Sequence, residues 1–569
     1  MDRFARDIAG RGPLPVEYCH VAILRYSLLR RALILDSYVF QGFQAPPMHG
    51  DFEAQRHWME ITAHLPASQW YFYDLEWWGL DYPPLTAYHS WLLGSMYVLR
   101  SLRGFSLYVL TSRRGNALNP KWFELDKSRG LDDPDLKLFM RATVLISEYL
   151  IYISAAVILV RRLARTQGVN IWDCSIALTA LLMQPSTILI DHGHFQYNTV
   201  MLGFVLAAMS RLIGGSRLWA CVFFVAALGF KQMALFYAPA IFAYLLGSCV
   251  TPRIDISRFL SIALATVLSF ALLFGPFLLS TAYDQYRGLS VSDYPQPPQL
   301  QALLSLLPFR IEKTSIIYPT LLQLTQSIHR IFPFSRGLFE DKVANVWCSL
   351  HQFHKLTRYS STTVQRLALI ATLATSLPAC AILFLRPRKD LVPLGFATCA
   401  WSFFLCSYQV HEKNVLLPLA ATTLLLAEHG GLRAPTRRWV GFANAVAAWS
   451  MFPLLRRDGL AVPYFVLVPL WAWLMGLPPF SLAAYPLRDA ASSPLDALET
   501  LLHLAAYAAM VGWHFVEAFV PPPFDKPDLW VVANVLVGAG GFGLCYLWCL
   551  GQLALRSGIW SKEVKAKTQ

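Results

Sequence analysis

The stretch MHGDFEAQRHWMEITAHLPASQWYFYDLEWWGLDYPP, Met48 to Pro84, is the densest group of polar and aromatic residues in a chain that is otherwise mostly apolar. Gly50 and Asp51 open a helix-forming run that Pro66 stops. Residues spaced three or four apart separate into an apolar and a polar face: Ala54, Trp58, Ile61 and Leu65 on one, and Glu53, Arg56, His57, Glu60 and His64 on the other. This pattern predicts an interfacial helix, too short and too polar to cross a bilayer.

The second half of the stretch mixes carboxylates with aromatic rings. Asp74, Glu76 and Asp81 are interspersed among six tryptophan and tyrosine residues: Trp70, Tyr71, Tyr73, Trp77, Trp78 and Tyr82. Aromatic rings can stack on sugar rings, and carboxylates accept hydrogen bonds from hydroxyl groups. We therefore interpret the segment as a carbohydrate site.

Composition outside this stretch indicates a polytopic membrane protein. The 569 residues are 55% hydrophobic and only 15% charged, far more apolar than a soluble protein of this length. The formal charge of +13 falls in short clusters between apolar segments, as expected for cytoplasmic loops rather than for nucleic-acid binding. The first 20 residues are polar with charges of both signs, so no cleavable signal peptide is predicted.

Apolar segments of about 20 residues predict roughly fourteen crossings in an all-α fold. An even number places both termini in the cytoplasm, and Lys565 and Lys567 resemble a dilysine signal for retrieval to the endoplasmic reticulum. The predicted order is a cytoplasmic tail (1–20), a weak first transmembrane helix (21–40), a first luminal loop with the catalytic residues (41–138), a transmembrane bundle (139–280), a long luminal loop (281–362), a second bundle (363–555) and a cytoplasmic tail (556–569).

Two carboxylates in the first loop have two interpretations each. Asp51 could be a general base, since it is a carboxylate just beyond the first predicted span. Gly-Asp before a helical run is equally typical of an N-cap. Asp81 precedes Tyr82-Pro83-Pro84, so it could bind substrate or only shape a turn.

Polar groups recur at span ends on the predicted luminal side of the membrane. Such groups are costly at membrane depth and often mark a pathway or a site. Cations among them could hold a phosphate, and His192 and His194 could in principle ligate a metal, although no matching carboxylate pair is evident. The groups are Asp191, His192 and His194; Lys231; Arg336, Glu340, Asp341 and Lys342; and His411, Glu412 and Lys413.

These features leave two classes of protein: a membrane enzyme that acts on a lipid-borne anion, and a lipid or solute transporter. No Walker loop, GxGxxG or HExxH motif occurs. A transporter is expected to concentrate polar groups at broken helices near the midplane, with a repeat between halves, and neither is clear. The large acidic and aromatic loop favours the enzyme.

Five strings closely resemble the dolichyl-phosphate-glucose-dependent α-1,3-glucosyltransferases of the endoplasmic reticulum. They are GDFEAQRHWMEIT (Gly50–Thr62), WWGLDYPPLTAYHSW (Trp77–Trp91), DHGHFQYN (Asp191–Asn198), RGLFEDKVANVWC (Arg336–Cys348) and HEKNVLLP (His411–Pro418). The resemblance implies a GT-C fold with a luminal site. It also implies inverting transfer of glucose from dolichyl phosphate glucose to the terminal mannose of the dolichyl-pyrophosphate-linked oligosaccharide Man9GlcNAc2. The first two strings are less similar to the paralogue that adds the second glucose, which is the alternative within the family.

The resemblance also assigns a role to Asp51, which matches the proposed general base of the family. One carboxylate and one cationic clamp on opposite faces of the glucose would suffice for inverting transfer. We expect His411, Lys413 and Arg336 to bind the donor phosphate, and Asp81, Glu53 and Trp78 to position the sugars. No metal or other cofactor is required by this hypothesis.

Overall fold

A computed structural model describes residues 46, 48–103, 119–289, 294–306, 311–313, 315, 317–332, 342–485 and 493–559, without the side chains of 96–103. Outside the described residues lie the predicted first span at 21–40, Arg336, Glu340, Asp341 and the C-terminal lysines. The described residues form helices and no strand. The prediction of an all-α protein is therefore confirmed for this part of the chain.

The helices of the first half are α1 (Gly50–His64), α2 (Pro84–Arg103), α3 (Pro134–Ser147), α4 (Ser154–Gln167), α5 (Ile171–Leu182), α6 (Pro185–Ile188), α7 (Asn198–Ile213), α8 (Arg217–Phe230), α9 (Ala238–Val250) and α10 (Ile256–Tyr286). Two π-helical segments, Glu148–Ile153 and Leu189–Phe195, continue α3 and α6.

The second half contains α11 (Pro298–Leu306), α12 (Ile317–Ile331), α13 (Val346–Phe353), α14 (Ser361–Leu385), α15 (Val392–Cys406), α16 (Leu416–Leu424), α17 (Ala434–Ser450), α18 (Phe452–Arg457), α19 (Ala461–Met475), α20 (Pro494–Phe519) and α21 (Leu529–Ser557). Short 3₁₀ segments include Gln232–Tyr237 after α8 and Glu412–Val415 before α16.

Six helical segments among the described residues are long and apolar enough to cross a membrane: Pro134–Gln167, Ile171–Phe195, Gln232–Val250, Ile256–Tyr286, Ser361–Leu385 and Leu529–Ser557. Shorter apolar helices add α7, α8 and α19. These segments fit a polytopic membrane protein. The count of about fourteen crossings and the domain boundaries remain predictions.

The centre of the bundle is α15, whose side chains are almost all buried. It packs against α14, α16 and α21, and it also contacts the Gln232–Tyr237 segment. Because α15 is apolar all round, it has no polar face to turn toward solvent. It therefore supports the polar segment that follows it, His411 to Asn414, from inside the bundle.

Helix α1 differs from the predicted interfacial helix. It packs on α2 and contacts the π-helical segment Leu189–Phe195. Its polar face is also buried, since Arg56 and Glu60 have no exposed surface. Arg56 donates to the Trp122 carbonyl at 3.0 Å and to the Ser128 hydroxyl at 2.6 Å. A second layer of protein, from a segment more than 60 residues away, replaces the water expected on this face.

The predicted long luminal loop at 281–362 is also more ordered than expected. Helix α10 extends into it as far as Tyr286, and it contains α11, α12 and α13. Helix α12 packs on α10. Arg330, in α12, donates to the backbone carbonyls of Gly79 and Leu80 at 2.9 and 3.2 Å. Part of this region therefore braces the loop after α1.

Candidate active site

A cavity of about 280 Å³ lies between α1, the loop before α2, and the segments that follow α8 and α15. Five of the seven predicted site residues line it: Asp51, Trp78, Asp81, His411 and Lys413. Gln55, Gln196, Gln232 and Lys231 add further polar groups to the wall. A concave site with a few convergent polar groups is the usual form of a ligand-binding or active site.

Asp51 lies in the first turn of α1, and its side chain does not cap the helix. The N-cap position is His49, in the left-handed region at φ 55°, with no side-chain capping hydrogen bond. The N-cap interpretation of Asp51 is therefore wrong, because the helix begins two residues earlier than that interpretation requires. The positive end of the helix dipole favours a carboxylate at this place.

Three donors converge on one oxygen of the Asp51 carboxylate. His194 Nε2 lies 3.2 Å from Oδ2, and the same oxygen accepts from Gln196 Nε2 and from Lys413 Nζ. Burial alone would raise the pKa of Asp51, but the charge of Lys413 and the hydrogen bond from His194 hold that pKa well below its usual range. Asp51 is therefore a carboxylate at neutral pH and can accept a proton.

The cationic wall is formed by the segment after α15. Lys413 belongs to the 3₁₀ segment Glu412–Val415, and His411 lies just before it. The Lys413 side chain is 15% exposed, so its charge is available to a ligand in the cavity although it pairs with Asp51. The proposed base, Asp51, and one proposed phosphate ligand, Lys413, are therefore in direct contact.

The opposite wall is the loop from Trp78 to Tyr82. The Trp58 indole donates to the Trp78 carbonyl at 3.0 Å, and the Trp78 indole donates to the Met48 carbonyl. The rings of Trp58 and Tyr82 lie 4.7 Å apart between centroids. Trp78 and Asp81 are therefore held at the cavity by the start of α1, in positions suited to contact a sugar.

The structure does not bring Glu53, predicted to position sugars, together with the other site residues in the cavity. Its carboxylate accepts two hydrogen bonds from the Arg56 guanidinium, at 2.6 and 2.9 Å, and the residue is buried away from the cavity. Residues two apart on a helix point about 200° apart, so Glu53 cannot share the face of Asp51. It belongs to the charged cluster of α1 with Arg56 and Glu60.

Lys231 was among the polar groups noted in the sequence but not among the predicted site residues, and Gln196 was not singled out. Lys231 Nζ donates to Asn198 Oδ1 at 2.7 Å and to Gln196 Oε1 at 3.1 Å, and it lies 4.9 Å from the centroid of the Tyr82 ring. Burial, together with the charge of Lys413, lowers the pKa of Lys231 to about 7. The signal was a lysine between two apolar segments, which is a costly position.

The DHGHFQYN string is buried rather than a solvated span end. Its first five residues complete the π-helical segment Leu189–Phe195, and π-helical turns are frequent at functional sites. Each histidine pairs with a carboxylate: His192 Nε2 with Glu148 at 3.0 Å, and His194 Nδ1 with Asp458 at 2.6 Å. Within the described part of the chain, no group of three or more His, Cys, Asp and Glu side chains is arranged to hold a metal ion.

Fold and site together define a polytopic membrane protein with an enzyme-like cavity, in which a buried carboxylate meets cations and aromatic side chains. The family model described as the ALG6, ALG8 glycosyltransferase family matches residues 22–289 and 299–550. The chain belongs to this family.

Curated relatives match along most of their length. A Schizosaccharomyces pombe protein named probable dolichyl pyrophosphate Man9GlcNAc2 alpha-1,3-glucosyltransferase is 42% identical over 531 residues, covering 93% of this chain and 91% of the relative. The Saccharomyces cerevisiae protein of that name, without "probable", is 41% identical, with coverages of 90% and 87%. The Mus musculus protein of the same name is 34% identical, with coverages of 92% and 94%.

Proposed function

We propose that this protein transfers the first glucose from dolichyl phosphate glucose to the terminal mannose of dolichyl-pyrophosphate-linked Man9GlcNAc2, forming an α-1,3 linkage with inversion. The names of the relatives supply the acceptor and the linkage. The residues that match the resemblance described above supply the donor and the stereochemistry. The proposal goes beyond the family assignment, which alone specifies a glycosyltransferase.

The observation that best supports the proposal is the meeting of Asp51 with Lys413 and His411 in one cavity. A carboxylate that is ionised at neutral pH can take a proton from a sugar hydroxyl. The Lys413 ammonium in the same cavity can stabilise the negative charge that develops on a departing phosphate. A cavity lined by Trp78 and Asp81 as well also has groups suited to sugar rings and their hydroxyls.

In the proposed step one bond to the anomeric carbon of glucose forms as another breaks. Asp51 takes the proton of the mannose 3-hydroxyl, whose oxygen forms a bond to the anomeric carbon of glucose. The bond from that carbon to the phosphate oxygen breaks on the opposite face, and its electron pair leaves with dolichyl phosphate. His411 and Lys413 bind this phosphate, and Lys231, which also lines the cavity, adds positive charge. Arg336 remains a predicted third ligand outside the described residues.

The proposal also specifies the fold, the membrane and the side of the membrane on which the reaction takes place. The chain adopts the GT-C architecture in the endoplasmic reticulum membrane, with the cavity open to the lumen and both termini in the cytoplasm. The six long apolar segments support a membrane location. No metal takes part, since side-chain cations neutralise the phosphate.

The test is a transfer assay with purified protein in lipid nanodiscs, dolichyl phosphate glucose labelled in the sugar, and two acceptors. The unglucosylated Man9GlcNAc2 lipid should gain one glucose, and nuclear magnetic resonance of the product should show an α-1,3 linkage. The monoglucosylated lipid should not react. Transfer only to the monoglucosylated acceptor, or no transfer to either, would overturn the proposal.

A further inference from the structure

His194 lies between two carboxylates from distant parts of the chain. Its Nδ1 is 2.6 Å from Oδ2 of Asp458, and its Nε2 is 3.2 Å from Oδ2 of Asp51. His194 and Asp458 are both buried, with 1% and 3% of their side-chain surfaces exposed. Asp458 follows α18 and does not line the cavity, so it can reach the reaction only through His194.

The two contacts of His194 constrain its protons. An ionised carboxylate has no hydrogen to donate and only accepts. An imidazole ring that donates to a carboxylate from both nitrogens must carry a hydrogen on each, which makes it an imidazolium cation. A ring in this state cannot accept a proton from Asp51, so His194 is suited to hold the base rather than to act as a relay.

The backbone around His194 gives a second and independent observation. Phe195 has a φ of 83°, in the left-handed region that large side chains rarely adopt. Its fully buried ring packs edge-on against Phe52 of α1, at 4.9 Å between centroids. Strained conformations of this kind persist where the surrounding structure enforces them, often at active sites. Here the strain falls between His194 and Gln196, the two residues that hold Asp51 from this segment.

A second buried pair joins the π-helical turn of His194 to the segment Glu148–Ile153. In this pair Glu148 and His192 lie at a similar distance, 3.0 Å, but neither residue lines the cavity. If buried pairs served only to hold the turn, both pairs would have the same importance for the reaction. The contact with Asp51 distinguishes the Asp458–His194 pair.

We infer that Asp458 is a positioning residue for the reaction: it keeps His194 doubly protonated, and the imidazolium, with Lys413, holds the Asp51 carboxylate in place and ionised. This inference rests on the proposed function, because it gives Asp51 the role of base. The charged groups that act on Asp51 and His194 are Lys413 from the segment after α15, Lys231 from the segment after α8, and Asp458. Asp191, on the same turn as His194, and Asp81, from the loop before α2, act on Lys231.

Asp458→Asn tests the inference, with Glu148→Gln as the matched control. An amide removes the negative charge that stabilises the imidazolium, so His194 becomes neutral and Asp51 loses one of its cations. We expect kcat to fall about 10-fold or more at pH 7.5 while the KM for dolichyl phosphate glucose changes by less than about 2-fold. As the pH falls from 7.5 to 5.5, the neutral ring of His194 takes up a proton and becomes a cation again, so we expect the kcat of Asp458→Asn to recover toward the wild-type value over a range in which the wild type is flat.

Glu148→Gln should show the wild-type pH profile, whatever it does to the yield of folded protein. His194→Gln provides a second variant: it has no ring to protonate, so its kcat should be low without recovery at acid pH, and the double variant should match His194→Gln, since Asp458 acts through that ring. Equilibrium binding of labelled donor measures the folded fraction for every sample. If Asp458→Asn does not fold, His194→Gln alone decides: a wild-type kcat in its folded fraction overturns the inference.

A wild-type kcat in the folded fraction of Asp458→Asn or His194→Gln, or a low kcat of Asp458→Asn that does not recover at acid pH, would overturn the inference and leave the proposed function intact. The same low kcat with acid-side recovery in Glu148→Gln would also overturn it, because the effect would then not depend on the contact between His194 and Asp51. Failure of the wild type to transfer glucose would instead overturn the proposed function. The two failures are therefore distinguishable.

Discussion

The Asp51 carboxylate accepts a hydrogen bond from the ammonium group of Lys413, 362 positions further along the chain. This ion pair therefore joins α1 to the segment that follows the central helix α15. Both side chains line the cavity and both are mostly shielded from solvent. The proposed base and the proposed phosphate clamp are therefore linked before any substrate binds.

Lys413→Met should impair both tasks of the lysine. We expect the KM for dolichyl phosphate glucose to rise about 10- to 100-fold, because a charge-assisted contact to phosphate is lost. Loss of the cation also raises the pKa of Asp51, so the base becomes protonated at a higher pH and kcat should fall between pH 7 and 5. Steady-state kinetics over that range measure both effects.

Lys342→Met is the control for this experiment. Lys342 forms an exposed ion pair with Asp528 and does not line the cavity. Its removal takes the same charge from the protein and should leave KM and the pH profile unchanged. If the KM for dolichyl phosphate glucose is unchanged in Lys413→Met, Lys413 does not bind the donor phosphate.

Lys231 should make donor binding sensitive to alkaline pH. With a pKa of about 7, it is mainly charged below pH 7 and mainly neutral above it. The KM for dolichyl phosphate glucose should therefore rise as the pH increases from 6 to 8.5. In Lys231→Arg the guanidinium stays charged and the rise should disappear, whereas Lys231→Met should have a high KM throughout. A wild-type KM that is flat over this range would contradict the role of Lys231.

The charged cluster on α1 should be important for stability. Arg56 is fully buried and pairs with Glu53 at 2.6 Å and with Glu60 at 2.7 Å. Arg56→Met leaves two buried carboxylates without their cation, which should cost about 3–5 kcal/mol in the free energy of unfolding. Thermal unfolding in detergent measures the loss, and Lys127→Met, which removes an exposed partner of Glu124, should change it little. Equal melting temperatures for the two variants would contradict this account of α1.

Chelation should not affect the transfer rate. In the proposed reaction the charge of the departing phosphate is neutralised by Lys413, Lys231 and His411, so the rate in excess EDTA should match the rate in added magnesium or manganese. The transfer assay in nanodiscs measures this directly. A loss of rate in EDTA that is restored by one divalent cation would show that these three side chains do not neutralise the phosphate without a metal ion.

The sequence predicted those parts of the site that depend on local pattern. The spacing of Ala54, Trp58 and Ile61 predicted α1, and the structure places its start at Gly50. The clustering of polar groups at span ends singled out His194 and Lys413, because charge beside apolar segments is rarely tolerated without a partner. The segment from Trp78 to Asp81 was recognised from its mixture of aromatic and acidic side chains, and it lines the cavity.

The sequence could not predict features that depend on contacts between distant segments. The polar face of α1 is buried because Trp122 and Ser128 cover it, and periodicity cannot distinguish water from a second protein layer. Glu53 was predicted to position sugars together with Asp81 and Trp78, but the helix turns its side chain away from that of Asp51. Asp458 follows two arginines in an unremarkable loop, and only the fold brings it to His194.

The central claim is that Asp51 takes the proton of the acceptor hydroxyl, and Asp51→Asn tests it most directly. The amide keeps the size of the side chain but cannot accept a proton as a base. With purified protein in nanodiscs, we expect transfer to Man9GlcNAc2 lipid to fall by about three orders of magnitude or more, while the Kd for dolichyl phosphate glucose stays within about 3-fold of wild type. Transfer by Asp51→Asn at the wild-type rate would contradict the account.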